Sequence, residues 1–208
     1  MRFLKVILFT VVITLLFSSI AAAEPIEKNI IPDCFNETLE KAKIEEMFPE
    51  GMIELTLGKT KKITFDDGSY VTYTLIEEPI IYNNKNSQNV SLASTTKTRS
   101  VKKQYFFGLA DVQIFLRANI TWGVPTSRSV TINRAWESHW ASFGRLQTDG
   151  KADIIRKVGT QNTYAVAETS GSFSLYLPKV GDYHSRSYRF QMLVDPADSS
   201  KVYLKDIN

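Results

Sequence analysis

Between positions 112 and 124, Val112, Ile114, Leu116, Ala118, Ile120, Trp122 and Val124 alternate with Gln113, Phe115, Arg117, Asn119, Thr121 and Gly123. A period of two sends one set to a buried face and the other toward water, which predicts a long half-buried β-strand. Similar, shorter patterns recur downstream. Ser129–Ile132 restarts a strand after Pro125-Thr126-Ser127, with Val130 and Ile132 inward and Trp136 a candidate for the same side. Ala152–Val158, Tyr164–Thr169 and Ser172–Leu177 follow, then Tyr188, Phe190, Met192 and Val194 in alternation, then Val202–Leu204. Upstream, Met52–Leu57, Lys62–Phe65 and Tyr70–Ile76 read as strands. Asp66-Asp67-Gly68-Ser69 lies between the last two as a hairpin turn.

One short helix precedes the strands. Asn36 is placed to cap it and Glu37 and Glu40 fall in its first turn, where acids suit the helix dipole. Leu39, Ala42, Ile44 and Met47 form a rough apolar side, and Pro49 and Gly51 end it. The spacing of strand and turn signals suits a mainly β chain, an antiparallel β-sandwich of immunoglobulin-like or jelly-roll-like kind, better than alternating β and α units.

Residues 83–103 carry no such pattern. Asn83–Asn89 and Ser94–Ser100 are polar and poor in bulky apolar groups, which predicts a flexible linker or surface loop. It divides an N-terminal segment, 24–82, from a β-sandwich domain, 104–208. Its last part holds Lys97, Arg99, Lys102 and Lys103. That cluster is a candidate contact for anionic wall polymer or lipid headgroups, the plainer alternative being a solvated linker.

The N-terminus has another character. Arg2 and Lys5 precede an apolar run from Val6 to Phe17, and Ala21-Ala22-Ala23 follows. This is the plan of a secretory signal peptide, 1–23, with Ala21 and Ala23 at the cleavage site. The apolar run is shorter than the ~20 residues a spanning helix needs. Export places the mature chain, 24–208, outside the cell as a secreted protein.

Composition narrows the functions. The chain holds 25 Lys and Arg against 22 Asp and Glu. Loss of Arg2 and Lys5 leaves about +1, too little basic excess for a dedicated nucleic-acid binder. Cys34 is the only cysteine, so no disulfide forms within the chain. It reads as a half-buried small hydrophobe, with an intermolecular disulfide as the alternative.

Motifs for catalysis fail on inspection, and no enzyme, metal or cofactor is expected. Gly58-Lys59-Thr60 echoes a phosphate-binding loop, but Ile53 stands where its first glycine belongs. Leu177-Pro178-Lys179-Val180-Gly181 approaches a wall-anchoring signal but lacks its threonine and the apolar tail. His139 and His184 have no motif around them that would make a dyad or a zinc site.

The most unusual local run is Trp136-Glu137-Ser138-His139-Trp140. Its tryptophans lie four residues apart and share a face. Core packing is one reading, and an exposed aromatic shelf for a sugar or polymer is the other. Trp136, His139 and Trp140 are therefore the candidate ligand contacts.

Several short features together resemble a broad group of small exported proteins of Gram-positive bacteria with no assigned role. They are Asp66-Asp67-Gly68-Ser69-Tyr70-Val71, the Ser/Thr/Lys stretch 94–103, Tyr105-Phe106-Phe107-Gly108, a tryptophan near 136 or 140, and Gly150-Lys151-Ala152. The likeness spans 62–177. The chain departs from the group in lacking a cysteine pair in the β domain. The resemblance implies a compartment and a fold class and no activity. The expected function is a non-enzymatic exported protein that binds an extracellular protein or cell-surface glycan. A membrane-active, toxin-like protein using the amphipathic strand and basic cluster is the alternative.

Overall fold

Two antiparallel sheets face each other across one apolar interior in the computed structural model, which describes residues 32–79, 94–108, 110–124, 128–178 and 182–207. The expected signal peptide, with Ala21 and Ala23, lies outside the described residues, as does 83–93 of the expected linker. Among the described residues no helix is long and apolar enough to cross a membrane.

A 3-10 turn at Asp33–Phe35 leads into α1 (Glu37–Met47), followed by β1 (Ile53–Thr56), β2 (Thr60–Thr64), β3 (Tyr70–Glu78) and β4 (Thr95–Phe107). Next come β5 (Ala110–Trp122), β6 (Val130–Ala141), β7 (Arg145–Thr148), β8 (Lys151–Arg156) and β9 (Val158–Gly159). The chain ends with β10 (Ala165–Leu177), β11 (Asp182–Val194) and β12 (Lys201–Asp206). Sheet I runs β1-β12-β11-β10, with β7 and β8 sharing the outer edge of β10. Sheet II runs β2-β3-β4-β5-β6-β9.

The expected mainly β sandwich with one short helix is what forms. Consecutive strands mostly lie side by side, which keeps connections short. The two sheets are tied together on both flanks. The chain pairs with β10 over Lys151–Arg156 and then with β6 over Val158 and Gly159. On the other flank β1 pairs β12 in sheet I while Leu57, just beyond it, bridges Leu75 of sheet II. Such crossings limit the open strand edge that could template aggregation.

The alternation of β5 is realised as the pattern predicts. Val112, Ile114, Leu116, Ala118 and Ile120 are all buried, and their odd-numbered neighbours form the outer face. In the β2–β3 hairpin, Gly68 takes φ +81°, a left-handed value that favours glycine. The Asp67 side chain accepts from the Ser69 amide at 2.8 Å and locks the turn.

The linker expectation is overturned over 95–103. These residues are the first two-thirds of β4, bonded to β3 on one side and β5 on the other. The division into 24–82 and 104–208 goes with it, because β3 and β4 are neighbours in one sheet. The physical reason lies in the inward positions of β4. They are Arg99, Val101, Lys103, Tyr105 and Phe107, so two of five are cations that read as solvent-facing but are buried.

Helix α1 is capped as expected, with Asn36 Oδ1 accepting from the Leu39 amide at 3.2 Å. Its apolar side is not the one expected. Leu39, Ala42 and Met47 are exposed, and the buried pair is Ile44 and Glu40, one turn apart. The helix is seated by a charge. Cys34 is fully buried rather than half-buried. Burial pushes its thiol up to about 12, so neither the access nor the thiolate that an intermolecular disulfide needs is present.

Candidate functional site

The strand registers sort the outer face of sheet II into rows. One row is Lys62, Thr72, Gln104, Gln113 and Trp140, crossing β2 to β6. The next is Thr60, Thr74, Lys102, Phe115 and Ser138, and the one after is Ile76, Ser100, Arg117 and Trp136. Neighbours within a row sit about 4.8 Å apart and share a face.

Both tryptophans are on this outer face, so core packing is not their role. A β-bulge explains why Trp136 is not inward with Val130 and Ile132. Ile120 pairs with Ile132 but Asn119 pairs with Arg134, leaving Asn133 as an extra residue that inverts the alternation beyond it. Trp140 is 51% exposed, and Trp136 is half-buried under the Arg134 guanidinium, 5.4 Å from its ring. His139 is exposed but pairs with Ile114, which puts it on the opposite side of β6 from the tryptophans. The three candidate contacts thus divide into two and one.

The surroundings of Trp140 are ordered. Gln104 and Gln113 each donate from Nε2 to Asp111 Oδ2 at 2.7 Å. That anchors both amides through their nitrogens. Arg117 stacks on Phe115 at 4.6 Å, donates to Glu78 Oε1 at 2.5 Å and also donates to Ser138 Oγ. Lys62 lies over Tyr70, which stacks on Phe106 at 4.5 Å. The face is therefore polar and aromatic, and its side chains are held by contacts with one another.

The basic cluster does not form a surface patch. Arg99 is 1% exposed and Lys103 0%. Arg99 donates to Glu77 and, at 2.7 Å, to the Ser199 carbonyl. Lys97, half-buried, also pairs with Glu77 at 3.3 Å. Hydrogen bonds and charge from Lys97 and Arg99 outweigh a burial effect and hold the Glu77 carboxyl below the usual range. Lys102 alone of the four projects from the outer face, beside Phe115.

Inside the sandwich lies a charged group that the sequence reading missed. Lys103 Nζ is 2.5 Å from Asp206 Oδ2 and 3.1 Å from Glu40 Oε1. The Tyr73 hydroxyl lies 2.6 Å from Glu40 Oε1 and 2.8 Å from Asp206 Oδ2. Arg186 donates to Glu40 Oε2 and to the Cys34 carbonyl, and stacks over Tyr105 at 4.9 Å. Five elements meet here, namely α1, β3, β4, β11 and β12. Burial disfavours the Lys103 ammonium, yet Asp206 and then Glu40 hold its pKa above the usual lysine value. Two oxygens at the site lack partners, Asp206 Oδ1 and the Tyr105 hydroxyl. A cavity of about 240 Å³, lined by Glu37, Lys41, Ile44, Lys205 and Ile207 among others, opens onto Glu40 and Asp206. One signal in the sequence could have revealed Lys103. It sits in phase with Val101, Tyr105 and Phe107.

A second polar group joins the sheets near β6. Glu137 accepts from Thr169 Oγ1 and, at 2.7 Å, from the Tyr188 hydroxyl. A Cβ at Gly150 would lie 1.9 Å from that hydroxyl and 2.0 Å from Glu137 Oε1, which explains a glycine there. Among the described residues no group of three or more His, Cys, Asp or Glu is placed to hold a metal ion. Comparison with family models, curated proteins and solved structures found no match to this chain.

Proposed function

We propose that the chain is an exported, non-enzymatic binding protein that takes a cell-surface glycan on the outer face of sheet II. The observation that carries this reading is Trp140. It is a large indole, half exposed, in the same row as two glutamines whose amides are already fixed by Asp111. A sugar ring offers an apolar face to stack on an indole and a rim of hydroxyls for amide carbonyls. Lys102 and Trp136, the latter with Arg134 across its ring, extend the platform by one and two rows.

Export rests on the leader pattern at 1–23, and an extracellular compartment is where such a glycan is met. The membrane-active alternative has less to stand on. Its amphipathic strand, β5, is bonded on both sides by β4 and β6, and its apolar face is the packed interior.

The test is a glycan array and a cell-wall pulldown with the purified chain. Binding is expected, and Trp140→Ala should reduce it at least tenfold while leaving the far-ultraviolet circular dichroism unchanged. Undiminished binding by a folded Trp140→Ala variant, or no glycan bound by the wild type, would contradict the reading.

A further inference from the structure

We propose that Lys103 and Asp206 become joined by an amide bond, the Lys103 side-chain nitrogen replacing one carboxyl oxygen of Asp206 in the interior of the sandwich. The reacting groups are in place. Nζ is 2.5 Å from Oδ2, and the carboxyl carbon is one bond further. Both side chains are at least nine-tenths buried, Lys103 at 0% and Asp206 at 3% exposed. A nucleophile held this close to its electrophile reacts as if at very high concentration, because the entropy of bringing the two together is already spent.

The protons are also accounted for. Transfer of one proton from the ammonium to the carboxylate gives a neutral amine and a neutral acid without changing the net charge of the interior. The ions are the resting state, since Asp206 and Glu40 hold the ammonium, and the neutral pair is the minority form from which reaction starts. Asp206 Oδ1, buried and without a partner, is the oxygen with most to gain from a proton.

The step balances. The Nζ–Cγ bond forms, the Cγ–Oδ1 bond breaks, and Oδ1 leaves as water. It carries the acid's proton and one from the amine, the second relayed through Glu40 Oε1, 3.1 Å from Nζ. No oxidant or cofactor is required. The cavity that opens onto Glu40 and Asp206 gives the water a way out. Afterwards Glu40 and Arg186 remain paired with each other, so no buried charge is stranded. The bond would tie the last residue of β12 to the centre of sheet II. In a chain with one cysteine it does what a disulfide cannot.

Intact-mass spectrometry of the full purified chain, its N-terminus fixed by sequencing, tests this. The wild type should be lighter than its sequence by one water, and digestion should yield one branched peptide containing Lys103 and Asp206. Asp206→Asn should be lighter by one ammonia instead, since the amide nitrogen is then the leaving group. Lys103→Arg should keep its full mass. So should Glu40→Gln, with wild-type circular dichroism showing that it folds. A wild type at full sequence mass, with Lys103 and Asp206 recovered in separate linear peptides, would overturn the proposal. A water lost from Lys103→Arg would overturn it as well, and rapid loss from Glu40→Gln would remove the part given to Glu40.

Discussion

Strands β4 and β5 are neighbours in one sheet, run the same length and are bonded along their whole register, yet they read as opposites in the sequence. In β5 every inward position is apolar, so its face pattern is unbroken. In β4 the inward positions alternate between hydrophobes and the cations Arg99 and Lys103. The difference teaches that burial in this interior is decided by partners on other elements. Lys103 is inside because Asp206, Glu40 and Tyr73 are there to receive it, and those residues lie on β12, α1 and β3.

The largest test of that contrast is Lys103→Ala. It removes the cation between two buried carboxylates, together with the proposed amide bond, and should cost at least about 3–5 kcal/mol in urea unfolding. On β5, Leu116→Ala should cost a comparable 2–5 kcal/mol, by leaving a cavity instead of a charge. If Lys103→Ala were instead as mild as a surface change, the two strands would differ in kind, with β4 a loosely held segment. The Lys103→Met, Asp206→Leu pair sharpens the same point. Replacing the whole ion pair with hydrophobes should restore most of what Lys103→Ala loses, less any contribution from the bond.

The legible and illegible parts of the molecule follow from this contrast. The sandwich, the β2–β3 hairpin, the Asn36 cap and the long β5 strand are all local patterns, carried by residues close in sequence. What could not be read is non-local. The inward turn of Lys103 depends on a residue 103 positions away. The outward turn of Trp136 depends on a single extra residue at Asn133, which no period-two count foresees. The same applies to Glu40, which takes the buried place on α1 that the apolar pattern assigns to Leu39 and Met47.

Smaller effects should fall away from the interior. Asp67 holds the Asp33 and Ser69 amides, at 2.8 Å each, and so ties the N-terminal turn to the β2–β3 hairpin. Burial works the other way, but hydrogen bonds from Ser69 and Asp33 keep its carboxyl below the usual range. Its folded value is depressed, so its contribution is full above the ordinary aspartate value of about 3.9 and is lost as pH falls through the folded one. Asp67→Asn should therefore flatten the acid limb of a stability-against-pH curve and leave the neutral region less changed. Lys97→Ala is the smallest, at about 0–1 kcal/mol, because its bond to Glu77 is half in solvent and Arg99 already serves that carboxylate.

Hydrogen exchange along the two strands tests the central claim most directly. If Arg99 and Lys103 are buried in a paired strand, the amides of Arg99–Tyr105 should exchange as slowly as those of Val112–Ala118, on the scale of global unfolding. Fast exchange over Arg99–Tyr105, with β5 still protected, would show a mobile linker there and contradict the account.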